Sequence, residues 1–313
     1  MEYRKLGRTG IQISEIGFGA WAIGGDAWGP VEDATSIAAM QRAFDLGITL
    51  VDTADVYGDG HSEKLTGQAI KDRREEVILS TKGGLMGHHR DPQREPVYDS
   101  PQKVITALEE SLRRLGTDYV DIYFCHIWWD KPEETEAFME AFKAIKSAGK
   151  ARAVGLSADN LDYIKHFNRD GDLDIVQLDY SILNRKPEQD ILPYLQGEGI
   201  GVIARGPLQK GLLTGKFTSD TRFSEGDIRK DWTGGEWFQG NLEKVERLRP
   251  LAGEGRTMAQ LALRYVLSHP AVSAAIPGGK TPQQVEENAS ASVRPLLSEE
   301  ELSIIHESAP ISV

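Results

Sequence analysis

Cysteine is nearly missing: Cys125 is the single one in 313 residues. An intrachain disulfide and a metal site built from several thiolates are both excluded. Within the apolar run 120–125, Cys125 reads as a small buried apolar side chain. Positive charge is also scarce: 36 Lys and Arg face 48 Asp and Glu, a formal net charge of −12 and a pI near 5.2. That balance argues against a general nucleic-acid or anionic-membrane binder, which needs a basic footprint, but leaves room for a local basic pocket that holds phosphates. No apolar run is long enough to span a bilayer. Met1-Glu2-Tyr3-Arg4-Lys5 lacks the apolar core of a signal peptide, so the cytoplasm is the expected compartment. No linker, low-complexity tract or domain boundary interrupts the chain. His88 and His89 have no suitably spaced partners, so they read as a solvated loop, and no metal is expected.

What remains is an ordinary globular balance, 40% hydrophobic and 27% charged, and the length allows one core of good size. Strand and helix patterns alternate throughout. Tyr3-Arg4-Lys5-Leu6 and Gln12-Ile13-Ser14, joined through Arg8-Thr9-Gly10, read as a hairpin. Core strands follow at 16–19, 48–52, 77–81, 120–125, 151–157, 175–179, 201–204 and 272–276. Helices are expected at 33–46 with Asp33 as N-cap, near 62–70 with Ser62 as cap, and at 101–114 with Pro101 in its first turn. Further helices are expected near 134–147, 160–168, 188–196, 257–267, 282–290 and 298–307.

About eight such units fit a single closed (β/α)8 TIM barrel over residues 1–313, with a short N-terminal hairpin. A doubly wound sheet is the competing fold. Its usual Gly-x-Gly-x-x-Gly turn is incomplete here, since Gly17-Phe18-Gly19 continues as Ala20-Trp21-Ala22. Residues 218–240, polar but carrying Trp232, Trp237 and Phe238, read as a long loop after strand 7 and a candidate lid.

The ends of the strands carry the chemistry. Asp52 closes one apolar run and Tyr57-Gly58 follows on its loop; Lys82 and His126 close the next two. A barrel places such residues at its catalytic face. Free tyrosine, with a pKa of about 10, is a poor acid–base group near neutrality. A nearby Lys82 is expected to lower that pKa, Asp52 to hold Lys82, and His126 to orient a carbonyl oxygen. These side chains supply no hydride, so carbonyl reduction by them requires a nicotinamide cofactor.

Asp52, Tyr57 with Gly58, Lys82 and His126 resemble the catalytic tetrad of the aldo-keto reductases. The similarity extends from Tyr3-Arg4-Lys5-Leu6-Gly7 through the stretch from Leu108 to Asp121 to Ile276-Pro277-Gly278 and Glu286-Glu287-Asn288. It implies that Ser157 and Gln177 hold a nicotinamide carboxamide; Ala158 replaces the usual Asn beside Ser157. Arg205 stands where many members place a stacking aromatic, and a planar guanidinium also stacks on rings. The segment Gly206-Pro207-Leu208-Gln209-Lys210-Gly211-Leu212-Leu213-Thr214-Gly215-Lys216 resembles the pyrophosphate loop, with Lys210 and Lys216 as its cations.

Gly278, Gly279, Lys280, Gln284, Glu287 and Asn288 match the adenosine end, with Glu287 and Asn288 as the adenine-contacting pair. Members specific for NADP often carry basic residues where this chain has Gly278 and Gln284; Lys280 is the nearby cation. The resemblance therefore favours NADPH, with NADH as the alternative. Trp21 matches the substrate-pocket aromatic, and Trp128 or Trp129 either walls the pocket or packs beneath the next helix. The implied activity is reversible reduction of small-molecule aldehydes and ketones. A second implication is a cofactor-sensing partner protein, since the chain is also similar to potassium-channel β subunits. A third, more distant, is a barrel lyase or isomerase that uses Tyr57 and Lys82 without nicotinamide. Neither physiological substrate nor oligomeric state follows from the sequence.

Overall fold

In the computed structural model the chain opens with a hairpin, β1 (Tyr3–Lys5) and β2 (Gln12–Ser14), paired antiparallel with Tyr3 opposite Ser14. The structure describes residues 1–25, 27–29, 31–84, 98–126, 132–232, 234–253 and 255–311. Leu6, Ile11 and Ile13 of the hairpin are buried against Leu50, Ile122, Ile175 and Ile203. These apolar side chains plug the N-terminal mouth of the barrel, so only the opposite mouth is left for a ligand.

The barrel strands are β3 (Phe18–Gly19), β4 (Leu50–Asp52), β5 (Ile78–Gly83), β6 (Val120–His126), β7 (Ala151–Ser157), β8 (Ile175–Asp179), β9 (Gly201–Arg205) and β10 (Val272–Ile276). Each pairs in parallel with the next. Closure comes from Gly17 N–H donating to Ala275 O at 2.8 Å, Gly19 N–H to Pro277 O at 3.0 Å and Ala275 N–H to Glu15 O at 2.9 Å. This is the expected (β/α)8 barrel with its hairpin, not a doubly wound sheet.

The helices are α1 (Asp33–Asp45), α2 (His61–Ile70), α3 (Pro101–Leu115), α4 (Pro132–Ser147), α5 (Leu161–Phe167), α6 (Ile191–Glu198), α7 (Glu236–Ala252), α8 (Met258–Ser268), α9 (Pro282–Ser290) and α10 (Glu299–Ser308). α3 shows how the sequence specifies them. Pro101 lies in its first turn, Gly116 ends it at φ 68°, and Val104, Leu108, Ser111, Leu112 and Leu115 form its buried stripe. No helix among the described residues is long and apolar enough to cross a membrane.

Four local expectations need correction. Glu32, not Asp33, is the N-cap residue of α1, and Asp33 lies in the first turn. Gly60 is the N-cap residue of α2; the Ser62 hydroxyl is drawn away from capping because it donates to Ala20 O at 2.9 Å and pairs with Thr53 Oγ1 at 2.9 Å. The helix expected near 188–196 begins only at Ile191, after a separate 3-10 turn at Lys186–Glu188. No helix is expected between 204 and 257, yet α7 occupies Glu236–Ala252, so the loop 218–240 ends early. Phe238, fully buried with Leu212 and Leu242, pins that first turn down, and Trp232 packs on the same cluster.

Candidate active site

Asp52, His126, Ser157, Asp179 and Arg205 are each the last residue of a barrel strand. Register sets them side by side: His126 is opposite Ser157, Ser157 opposite Gln177, and Asp179 opposite Arg205. They surround a cavity of about 840 Å³ at the C-terminal mouth, a size suited to a cofactor with a small substrate.

Lys82 lies beneath this cavity, within β5 and fully buried. Its ammonium donates to Asp52 Oδ2 at 2.6 Å, Thr53 O at 2.8 Å and Tyr57 Oη at 3.3 Å, so all three protons have acceptors. Asp52 Oδ1 accepts from Ser80 Oγ and from Gln177 Nε2, both at 2.8 Å. Burial works against the charge on Lys82, but Asp52 and then Tyr57 outweigh it and raise its pKa. Tyr57 differs from expectation. Burial raises its pKa above the ordinary value despite the opposing pull of Lys82. The phenol therefore keeps its proton at neutrality. The His126 ring stands edge-on to Tyr57 at 5.9 Å, and Trp21 stacks on the other side at 6.0 Å.

The Tyr57 loop is held by backbone contact. An added Cβ at Gly58, where φ is 61°, would lie 2.1 Å from Gly24 O; one at Gly24 would lie 2.9 Å from both Gly58 N and Tyr57 C. Gly58→Ala is expected to destabilise the protein by about 1–3 kcal/mol through left-handed strain, with further loss from the clash, and to lower activity by displacing Tyr57. Denaturant unfolding alongside turnover checks this; unchanged stability would contradict it.

Most residues of the expected cofactor site meet at the same cavity. Ser157, Gln177, Arg205, Gly206, Pro207, Leu208, Lys210, Lys216, Gly278, Gly279, Lys280, Gln284, Glu287 and Asn288 all line it, as does Trp21. Leu212 does not: its side chain is fully buried against Phe238 and Leu242. Trp128, Trp129, His88 and His89 lie outside the described residues.

Arg205 is paired with two acids, Asp159 through Nη2 and Asp179 through Nη1 at 3.8 Å. These ion pairs hold the guanidinium in place. The Lys280 ammonium donates to Trp28 O and to Gly29 O at 3.4 Å, tying the segment after β10 to the loop after β3. The backbone of Lys280 donates to Gln284 Oε1 at 2.8 Å. Asn288 Nδ2 donates to Gly278 O at 3.2 Å, and Lys216 lies 3.9 Å from Glu287.

Sequence reasoning missed Asp159, Asp179, Trp28 and Arg229. Asp179 was findable, as it ends a strand just as Asp52 does. Arg229 joins the rim through Asp227 at 2.6 Å and packs over Trp28 at 5.0 Å.

The cavity fits a nicotinamide dinucleotide by its donor set. In a chain of net charge −12, its lining sets five cations, Arg205, Lys210, Lys216, Arg229 and Lys280, against four acids, Asp52, Asp159, Asp179 and Glu287. Burial lowers the pKa of Lys210, with Arg205 adding to the effect and Asp179 opposing it. Burial likewise lowers that of Lys280, with Arg229 adding and Asp227 opposing. Both cations gain from an added anion. Beside them Gln209 and Lys210 hold left-handed backbone at φ 44° and 52°, strain of the kind that collects at ligand sites.

The closed barrel gathers an acid, a phenol, an ammonium and an imidazole around its C-terminal mouth, and the comparisons place it in an oxidoreductase family. The model of the aldo/keto reductase family matches residues 15–310, and the chain belongs to that family. It is 37% identical over 292 residues to the aldo-keto reductase YhdN of Bacillus subtilis, covering 91% of this chain and 87% of that one. It is 36% identical to the NADH-specific methylglyoxal reductase of Escherichia coli, covering 91% and 92%. The crystal structure of an aldo/keto reductase from Klebsiella pneumoniae in complex with NADP and acetate superposes with a TM-score of 0.79 at 28% identity, over 100% of this chain and 97% of that one. The similarity to channel subunits holds too: a probable voltage-gated potassium channel subunit beta of Oryza sativa is 33% identical over 96% of this chain and 94% of its own.

Proposed function

We propose that the whole chain acts as one barrel domain that reduces aldehydes and ketones to alcohols with NADPH or NADH, with Tyr57 as the proton donor. The observation that carries this is the buried chain of contacts from Asp52 through Lys82 to Tyr57 Oη, which opens on a cavity shared with His126. Tyr57 gives its phenolic proton to the carbonyl oxygen. The phenolate left behind is stabilised by Lys82, which Asp52 keeps charged and aimed. His126 donates a hydrogen bond to the same oxygen and orients it. Bound reduced nicotinamide would supply the hydride that the carbonyl carbon needs. Ser157 and Gln177 would hold its carboxamide; Gln177 has committed Nε2 to Asp52, which leaves Oε1 for the ligand. Lys210 and Lys216 would take the pyrophosphate, and Glu287 with Asn288 the adenine. Arg205, braced by its two acids, would present a guanidinium face to the ring.

For the 2′-phosphate, Lys280 is the nearest cation. NADPH is proposed as the preferred cofactor, with NADH also accepted because Gly278 and Gln284 add no charge. The related NADH-specific enzyme supports that latitude. Quenching of the cavity tryptophans Trp21 and Trp28 gives the test. Lys280→Ala should weaken NADPH about tenfold, the low end for a charge-assisted hydrogen bond of about 1.5–3 kcal/mol, and leave NADH nearly unchanged. Equal weakening of both would remove Lys280 from the 2′-phosphate, and binding of neither cofactor by the unmodified protein would defeat the reductase reading.

A second reading rests on the plant channel subunit: the same cavity would sense cofactor state with little turnover. Aldehyde turnover separates the two.

A further inference from the structure

Next to Lys82 lies a cluster of acids and phenols that does not line the cavity and that the reaction does not use. Asp55 stands two residues before Tyr57, and its backbone N–H donates to Lys82 O at 3.2 Å, so one residue is fastened to the strand of the ammonium and to the loop of the phenol. Its side chain faces a closed set of groups. Tyr98 Oη donates to Asp55 Oδ2 at 3.0 Å. From α2 comes Glu63, fully buried, and from α3 comes Arg114. From β6 come Tyr123, fully buried, and Cys125.

Among the described residues here, the cation Arg114 is already taken. Arg114 Nε donates to Glu63 Oε2 and Thr81 Oγ1 to Glu63 Oε1, both at 2.5 Å. Although part of the residue's surface reaches solvent, Asp55 Oδ1 is sealed off without a hydrogen-bond partner, and so is Tyr123 Oη. Gly83 makes the space: a Cβ there would lie 2.4 Å from Tyr123 Oη and 3.6 Å from Asp55 Oδ2. Two carboxylates that share one cation among the described residues, with a sealed-off oxygen on one of them, do not both ionise cheaply.

We propose that Asp55 is a positioning residue: while it is neutral the loop that carries Tyr57 packs closed against Lys82, and a charge on Asp55 beside Glu63 loosens that loop. The position of Tyr57 matters to catalysis only if the reductase reading holds, but the loop itself does not depend on it. Burial first, and then the charge of Glu63, raise the Asp55 pKa to about 7, while Tyr98 and Arg114 pull the other way. Tyr57 and Lys82 are both held above their ordinary values, so neither supplies a transition near neutrality.

The test compares the unmodified protein with Asp55→Asn, an uncharged shape mimic, across about pH 6 to 8.5. Hydrogen exchange of the 54–58 amides, corrected for the intrinsic pH dependence, should lose protection as pH rises in the unmodified protein and stay flat in the variant. The ratio of kcat for carbonyl reduction in the unmodified protein to that in the variant should fall through the same window, any contribution of His126 being common to both. Tyr98→Phe, a second route should Asp55→Asn fail to fold, removes a hydrogen bond that favours the carboxylate. It should move both transitions to higher pH. Parallel exchange profiles would overturn the proposal. Divergent exchange with superimposed kcat profiles would overturn the link to Tyr57. An absence of turnover would count against the reductase reading, and the exchange profiles would still decide whether Asp55 governs the loop.

Discussion

Tyr57→Phe lowers kcat for carbonyl reduction by about 10²–10⁴-fold, the usual contribution of a positioned general acid, while cofactor affinity is retained. The change removes one oxygen, Tyr57 Oη, which accepts from Lys82 at 3.3 Å. The ring itself stays wedged between Trp21 and His126, so the cavity keeps its shape and the loss falls on kcat. Steady-state kinetics beside fluorescence titration checks both halves. Full activity in the variant would remove Tyr57 from the reaction.

Lys82→Met produces the largest stability change. It leaves Asp52 buried with two neutral donors, Ser80 and Gln177, and no counter-ion. Removing one partner of a buried ion pair costs about 3–5 kcal/mol, so the denaturant midpoint drops sharply along with activity. The pH dependence carries a definite sign. The folded pKa of Lys82 is raised, so the contribution of its charge to stability is complete below the unfolded value of about 10.4 and is lost as pH rises through the folded value. Unmodified protein should therefore lose stability above that point relative to the variant, as read by unfolding midpoints. An unchanged midpoint in Lys82→Met would contradict the buried pair.

The strands and the residues that end them were legible because both follow from short-range pattern. Residues 151–157, 175–179 and 272–276 are strands as expected, and a polar residue closing an apolar run points to the mouth of a barrel whatever surrounds it. Other features depend on contacts that sequence order hides. The Ser62 hydroxyl looks like a cap until Ala20, 42 residues away, takes it. The whole of α7 (Glu236–Ala252), with Gly240 and Pro250 inside it, is missing from the helices expected, and its first turn reads as loop until Phe238 is buried on Leu212 and Leu242. The acids that fix Arg205 come from the loop after β7 and the end of β8, and nothing in the Arg205 segment announces them.

The direction of the Tyr57 shift was misjudged for a related reason. Proximity to Lys82 follows from strand order, but the extent of burial, which here outweighs that charge, is set by the whole cavity wall.

The most direct test of the central claim mixes purified protein with NADPH or NADH and a panel of small aldehydes and ketones, and follows oxidation of the cofactor together with the alcohol formed. The account predicts turnover, with one cofactor oxidised per alcohol, that collapses in Tyr57→Phe. Tight cofactor binding with no carbonyl reduced across the panel would contradict it and leave the sensing role as the better description of this cavity.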